Sequence, residues 1–511
     1  MSDDTQVLVV GAGPTGLALA IWLARFGVRL RIVDKRHDVA PESRALGVHA
    51  RTLEFYRQLG FAMEVLGAGV VVPSVNLWSR GHRVVSIPFR NVGEGLTPFP
   101  FVLDFAQDEH ERLLVAHLAR LGVTVERDTE LTTFAEENDG VRASLRTARG
   151  TTESCRCDYI AGCDGAHSAV RSTLGIQFGG GTYERLFYVA DVVARGAAVD
   201  DGIHVDLDTA DLLALFDMKG AGHVRLVGMV RADVRPGDEH SLTFENVGTT
   251  PIEHMRLDIE RVNWFSTYRV HHRVATRFRS GRAFLLGDAA HVHSPVGAQG
   301  MNTGIGDATN LAWKLATALR GNGDDTLLDS YEIERIAFAR RLVATTDRVF
   351  ATATRPGRLA AFVRTRVLPL VVGALGRLVA ARRWLFRTVS QIAISYHESP
   401  LSEGRAGRVR AGDRLPWVPQ AGGSDDDNFA PLATLRWQVH VYGDCPTELR
   451  DVCSGLQLAL HVFPWQPAMH RAGLARNAAY LIRPDGYVAL ADPTATAEPL
   501  RAYATRHRLE F

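Results

Sequence analysis

The sequence predicts an α/β chain in which a parallel sheet is interrupted by an inserted antiparallel β unit, then followed by a helical segment and a small C-terminal α/β unit. Three observations carry this. A strand, a glycine turn, a helix and a second strand fit within the first 33 residues, alternating β segments with turn residues fill 188–268, and helical periodicity dominates from 300 to about 395.

Taken in order, residues 6–10 are a short Val/Leu run, 14–26 have helical spacing and 29–33 alternate, which makes a βαβ unit. Helices are expected within 44–70, around RTLEFYRQLG, and over 108–121. Hairpin strands follow over 124–146, turning at Asn138, Asp139 and Gly140. The inserted unit has alternating segments such as 223–230 and turns at Gly202, Gly220 and Asp238. A strand at 283–286 ends at Gly287, and helices are expected over 300–320, 327–349 and, with interruptions, to about 395. The polar, Gly- and Pro-bearing stretch 404–427 reads as a linker, and 428–511 as a small α/β domain. The expected domains are therefore 1–180 with 270–400, then 181–269 inserted between them, then 428–511.

Composition narrows the function classes. With 58 basic and 57 acidic residues the net charge is +1, which supplies no field to hold a polyanion, so nucleic acid is not an expected partner. Hydrophobic content of 46% and charged content of 23% are those of an ordinary globular chain. The five cysteines, Cys155, Cys157, Cys163, Cys445 and Cys453, form no CxxC pair and no zinc spacing, which fits a reducing compartment. MSDDTQVLVV runs straight into a glycine turn with no basic, apolar or cleavage region of a signal peptide, so a cytoplasmic location is expected. The apolar stretch 367–381 carries Arg377 and falls short of the roughly 20 residues a bilayer span needs, so no integral membrane segment is expected. The Arg-rich stretch 355–387 has two readings, a membrane-surface helix or a solvated Arg face over a core-packed apolar stripe, and the second is the expectation.

The chemistry resides in glycine turns. Gly11, Gly13 and Gly16 follow a strand and open a helix through Pro14 and Thr15, the arrangement in which backbone can approach a pyrophosphate and helix N–H groups can meet its charge. Asp34, followed by Lys35, ends the second strand where a carboxylate can accept ribose hydroxyls. This motif alone leaves NAD and FAD open. The second glycine stretch, GDAAHVHSPVGAQGMN, places Asp288 at a strand tip, where it can hold polyol hydroxyls. It then starts a long helix near Gly300, whose free N–H groups suit the charge of a reduced flavin, a feature for which an NAD enzyme has no need. His291 and His293, and likewise His271 and His272, lack a third ligand and read as packing, so no metal site is expected.

The chain resembles the class A flavoprotein aromatic hydroxylases, the para-hydroxybenzoate hydroxylase group, and within it the phenol, pentachlorophenol and polyketide hydroxylase branch with a C-terminal thioredoxin-like domain. Three motifs match in order: the glycine turn at Gly11 to Gly16, CDGAHSAVR from Cys163 to Arg171, and the Gly-Asp pair at Gly287 and Asp288. Further matches are SRALGVHARTLE, LLDSYEIER, YHESPLS, AGDRLP and RPDGY, so the resemblance covers essentially the whole chain.

The resemblance implies a Rossmann-like FAD-binding domain with an inserted substrate-binding sheet and a thioredoxin-like domain over 428–511. It implies that Asp34 binds the adenosine ribose, that Arg44 and Gln107 contact the pyrophosphate and ribitol region, and that Asp288 binds the ribitol. Gly300, Met301 and Asn302 would face the flavin pyrimidine edge, Pro295 would lie near the reacting carbon, and Asp164 and Gly165 would serve FAD and the nicotinamide cofactor together. The implied activity is an FAD-dependent monooxygenase that consumes NADPH or NADH and O2 and hydroxylates an aromatic or polyketide-like small molecule through a flavin C4a-hydroperoxide. Same-fold epoxidation or Baeyer–Villiger oxygenation is the nearest alternative, and a flavin-free NAD dehydrogenase the alternative from another class. Phe216, Met229 and Trp264 on the inserted sheet are candidate substrate-lining residues, and the C-terminal domain is an expected structural cover or homodimer contact. Two departures bear on the site: Asp34 stands where Glu is commoner, and Ala298 where the flavin loop commonly has Gly.

Overall fold

The structure, a computed structural model, describes residues 5–510 apart from 40–44, 80, 200–201, 209–211, 231–241, 248–249, 324, 354–356 and 420–426. Arg44 and the expected turn at Asp238 therefore lie outside the described residues.

The run VLVV at Val7–Val10 is buried throughout because it forms a central strand, flanked in parallel by Leu30–Val33 and Tyr159–Gly162. Ala283–Leu285 extends the sheet in parallel beyond Tyr159–Gly162. Between the first two strands the helix Pro14–Arg25 starts with Pro at its first turn, where the missing N–H costs nothing. Its Leu, Ala, Ile and Trp residues from Leu17 to Leu23 are buried against the sheet and against the long helix Gly300–Leu319.

The inserted sheet has eight strands and is larger than expected. Besides Phe178–Gly196, Ile203–Asp206, Leu213–Asp217, His223–Met229 and Leu257–Ala275, it recruits the hairpin Ser74–Ser79 and His82–Pro88 from the N-terminal half and His291–Val292 at its other edge. The boundary of 181–269 is thus corrected: strands Phe178–Gly196 and Leu257–Ala275 run continuously past it. Partners opposite one another in antiparallel pairs share a face. One face buries Tyr188, Ala190, Val192, Leu213, Leu215, Val224 and Leu226 in a core with Ile252 and Met255. The other carries the row Phe216, Arg225, Asp191 and Trp264.

Two further expectations change. The stretch 404–427 is not a linker up to residue 419. Glu403–Ala406 pairs with Val488–Asp492 and with Val409–Arg410, while Leu415 and Val418 are buried, because the apolar residues between its turn-formers complete the C-terminal core. The C-terminal unit therefore begins near 403, as a six-stranded sheet with Gln438–Tyr442 and Ala479–Ile482 antiparallel at its centre. The stretch 355–387 does not bury its apolar stripe. Arg358–Phe362, a π-helical turn Val363–Val367 and Leu368–Arg377 form one continuous helix, with Leu359, Phe362, Leu370 and Leu375 on the outside.

Candidate flavin and substrate site

Three neighbouring parallel strands end in register, Val10 opposite Gly162 and Gly162 opposite Leu285. The three motifs that follow them, at Gly11, Asp164 and Gly287, therefore sit side by side at the carboxyl edge of the sheet, where ligands bind in folds of this kind. Close approach fixes the glycines. A side chain on Gly11, whose φ is +99°, would strike the Cys163 carbonyl, and one on Gly16 would strike the Gly11 carbonyl. At Gly13 the space for a side chain is empty, as a cradle for a phosphate requires.

Asp34 closes this turn. Its Oδ2 accepts the Ala12 N–H at 2.6 Å and its Oδ1 the Arg36 N–H at 2.9 Å, so the carboxylate is fixed beside the glycine turn with lone pairs to spare. Lys35 is exposed. Asp164 accepts the N–H groups of Ala169 at 2.7 Å and Val170 at 3.2 Å, capping the short helix Ala169–Thr173, while its other oxygen is buried without a partner among the described residues. Burial raises its carboxyl above the ordinary value, partly offset by those bonds. Gly165, at φ +81°, has open space where a side chain would stand. Arg171 of the same motif donates to the Ala289 carbonyl at 2.8 Å and thereby ties this motif to the third.

Asp288 is exposed at the tip of the last strand. Behind it, Asp307 accepts the Gly287 N–H at 3.0 Å, bonds His291 Nε2 at 2.8 Å and pairs with Arg335 Nε at 2.6 Å. Burial opposes the Asp307 charge, but Arg335 and His291 hold its carboxyl below the ordinary value. Thr15 packs between Gly287 and Gly304, so the two glycine motifs interlock directly.

The helix Gly300–Leu319 begins with no side-chain cap, leaving the N–H groups of Gly300, Met301 and Asn302 available to a ligand. The Asn302 side chain is occupied structurally: Oδ1 accepts from His49 N–H and Thr52 Oγ1, and Nδ2 donates to the carbonyls of Gly47 and Ala298. His49 Nε2 lies 2.9 Å from the Gly297 carbonyl, and burial lowers its imidazole to about 4 despite that bond. Pro295 opens the same loop, and Ala298 sits there at φ +50°, a left-handed conformation that a glycine would adopt without strain. His293 Nε2 is buried beside Gly300 with no partner among the described residues, and burial lowers it to about 4.

Gln107 opens the helix Gln107–Arg120. It brackets residue 45, accepting the Ala45 N–H at 3.1 Å and donating its own N–H to the Ala45 carbonyl. The same carbonyl lies 3.4 Å from Arg225 Nη1, and Arg225 is buried in a bidentate pair with Asp191 at 2.6 and 2.7 Å. The sheet face with Phe216 and Trp264 thus confronts the nucleotide-binding domain. At its edge, Arg273 and Val274 pair with Val292 and His291, which joins the Pro295 loop to the sheet itself. Phe216 and Trp264 are half-buried on this face. Met229 lies on the same face, two alternations along its strand from Arg225, and is buried there among Phe187, Val270 and Phe350.

These groups fit FAD: two uncapped helix N-termini, a phosphate-wide opening at Gly13, a carboxylate at each of two strand tips, and unsatisfied polar atoms on Asp164 and His293. Cys163 is buried and its thiol pushed well up by that burial, which leaves it inert. Sequence reasoning missed the Asp307–His291–Arg335 and Arg225–Asp191 groups. The signal available was charged residues at apolar positions of strongly patterned elements.

Comparison with known proteins agrees with this geometry. A family model described as an FAD binding domain matches residues 4–346. The 6-methylpretetramide 4-monooxygenase of Streptomyces rimosus is 36% identical over 408 residues, 79% of this chain and 72% of that protein. The pentachlorophenol 4-monooxygenase of Sphingobium chlorophenolicum is 34% identical over 346 residues, 67% of this chain and 64% of that one. The solved structure of an anhydrotetracycline hydroxylase from Streptomyces rimosus superposes with a TM-score of 0.78 at 27% identity, covering 98% of this chain and 99% of that chain.

Proposed function

The chain belongs to the FAD-dependent aromatic and polyketide monooxygenases, the class A flavoprotein aromatic hydroxylases, and from that premise we propose that it hydroxylates a multi-ring phenolic polyketide with NADPH or NADH as reductant. The observation that supports this reading is that the half-buried face bearing Phe216 and Trp264 also carries Arg225, which reaches the Ala45 carbonyl bracketed by Gln107, so that face meets the nucleotide-binding domain. A flat apolar substrate fits between an aromatic-bearing wall and a flavin held under it. The polycyclic substrate in the name of the 6-methylpretetramide relative supports a multi-ring compound over a single ring.

In this reading Gly11, Gly13 and Gly16 with Pro14 and Thr15 cradle the pyrophosphate, Asp34 accepts ribose hydroxyls and Lys35 stands at their rim. Arg44 and Gln107 flank the pyrophosphate and ribitol, Asp288 accepts ribitol hydroxyls, and Asp164 and Gly165 form the wall shared by FAD and the nicotinamide cofactor. The N–H groups of Gly300, Met301 and Asn302 donate to the pyrimidine edge, where a positive helix end favours negative charge. Bound FAD supplies the oxygen-transfer chemistry with dioxygen once reduced. The protein's own part is to bind, orient and exclude water, with Pro295 shaping the loop over the ring and Phe216 and Trp264 holding the substrate against it.

The test is product mass spectrometry after incubating the purified yellow protein with NADPH or NADH, labelled dioxygen and a panel of phenols and fused-ring quinones. Incorporation of one labelled oxygen into a fused-ring compound is the expected result. NAD(P)H oxidation that yields only hydrogen peroxide across the panel counts against the substrate class.

A further inference from the structure

The helix Arg358–Arg377 is the one described helix long and apolar enough to cross a membrane by length and composition, yet little of it is buried inside the molecule. Its exposed apolar residues, Leu359, Phe362, Val363, Val367, Leu370, Val371, Leu375 and Leu378, recur every three or four positions and so form one stripe along one side. Leu359 is 77% exposed and Leu370 75%, values that belong to an apolar side turned outward. The other side holds the helix to the inserted sheet. Gly376 and Gly373 pack on Ile87 and Val85 of the strand His82–Pro88, and Arg364 is buried, donating to the Leu207 carbonyl at 2.8 Å. The next helix, Val379–Val389, continues the patch with Val379, Leu385 and Trp384, the last 68% exposed.

Charge on this patch is predominantly positive. No acidic residue occurs between Asp347 and Glu398, in a chain whose net charge is only +1. Arg358, Arg366, Arg377, Arg383 and Arg387 are exposed among the apolar residues, and Arg83 and Val84 of the adjoining strand are exposed beside them. Arg383 donates to the backbone carbonyl of Glu94 at 3.3 Å, and the exposed Glu94 is one acid at the rim of this arginine-rich face.

We propose that this face docks the protein onto an anionic lipid surface, with the apolar stripe buried in the headgroup boundary and the arginines on lipid phosphates. An apolar band interleaved with arginine is the chemistry of an interfacial helix, because each long side chain can lay its stem on hydrocarbon and keep its head at the phosphate level. A second copy of the chain on the same face would bring five exposed arginines against five, with Glu94 at the rim too few to pair them. Spanning is excluded by the anchoring of Arg364 and the two glycines on the sheet, so the helix lies in the surface rather than through it.

The full-length flavoprotein is sedimented with vesicles of phosphatidylcholine containing phosphatidylglycerol, and with phosphatidylcholine alone. The expected result is co-sedimentation with the anionic vesicles, at least tenfold weaker with the neutral ones and in high salt. Leu370→Glu with Leu375→Glu, and separately Arg377→Glu with Arg383→Glu, abolish it while flavin content is retained. Leu370→Ala with Leu375→Ala weakens it without adding charge and serves if the glutamate pair misfolds. Absence of binding to anionic vesicles, equal binding to both kinds, or undiminished binding by the variants overturns the proposal. So does a wild-type dimer, seen by light scattering, that the leucine variants convert to monomer while vesicles recover nothing.

Discussion

At the residue scale the site depends on a few backbone positions and on groups kept neutral by burial. Gly11→Ala drives a methyl into the Cys163 carbonyl at a φ of +99°, so the variant is expected to lose FAD and most of its folded yield, read by absorbance at the flavin band. Asp288→Ala removes an acceptor at an exposed strand tip and is expected to keep the fold while weakening FAD by about 1 to 3 kcal/mol, roughly ten- to a hundredfold, in an equilibrium titration. The buried histidines give a pH dependence with a definite sign. Burial lowers His49 to about 4 and His110 to about 3, from an ordinary 6.5. Below 6.5 the unfolded chain takes up protons that the folded one refuses, so their contribution is complete above pH 6.5 and is lost as pH falls toward 4. Stability in denaturant titrations should drop by about 1.4 kcal/mol per pH unit for each histidine across that window, and His110→Gln should remove one share of the slope.

At the scale of elements, Asp307 is the clamp between the helix Gly300–Leu319 and the Gly287 turn. Asp307→Ala leaves Arg335 buried beside a vacated partner and frees the Gly287 N–H, so a loss of about 3 to 5 kcal/mol is expected in denaturant titrations, with looser FAD binding alongside. How far such elements were legible follows from where their signals lie. The βαβ unit, the Gly300 helix and the alternation of 223–230 were readable because strand and helix periods are local properties of side-chain burial. The hairpin Ser74–Ser79 and His82–Pro88 was not, because it joins its sheet through Ile203–Asp206, more than a hundred residues away. The three glycine motifs mark the carboxyl edge of the sheet, whereas the clamp behind it leaves only a weak mark, Asp307 at an apolar position of a strongly patterned helix, and that mark does not say what a buried Asp pairs with. The exposed stripe of Arg358–Arg377 failed for the same reason, since periodicity gives an apolar face without saying which way it turns.

At the scale of the molecule, the outlying motifs of the chain converge on one buried network between the nucleotide-binding domain and the C-terminal unit. Glu334 pairs with Lys314 at 2.9 Å and with Arg483 at 2.7 and 3.0 Å, and accepts from Ser399. Arg483 also pairs with Asp485, whose carboxylate accepts from Trp313 and whose carbonyl accepts from Arg51. Arg335 bonds Tyr396, linking this network to the Asp307 clamp and so to the Gly287 turn. The C-terminal unit is therefore a partner in the charge balance of the first domain's core, beyond being a cover for it. Arg483→Met leaves Glu334 buried with Lys314 as its remaining cation, and a loss of about 3 to 5 kcal/mol is expected. Adding Glu334→Gln should recover part of that loss, since the two sites share one interaction. Burial opposes the Glu334 charge, but Arg483 and Lys314 hold its carboxyl well below the ordinary 4.5. Its contribution is thus present above pH 4.5 and lost as pH falls below it, and Arg483→Met should flatten that acid limb. Because strand pairing begins at Glu403, ending the chain at 402 or at 422 should alike yield insoluble or thermally weakened protein, measured by yield and melting temperature. A truncated chain that stays soluble, binds FAD and melts as the full chain does would show that the network is dispensable, and that Glu334 and Lys314 balance each other unaided.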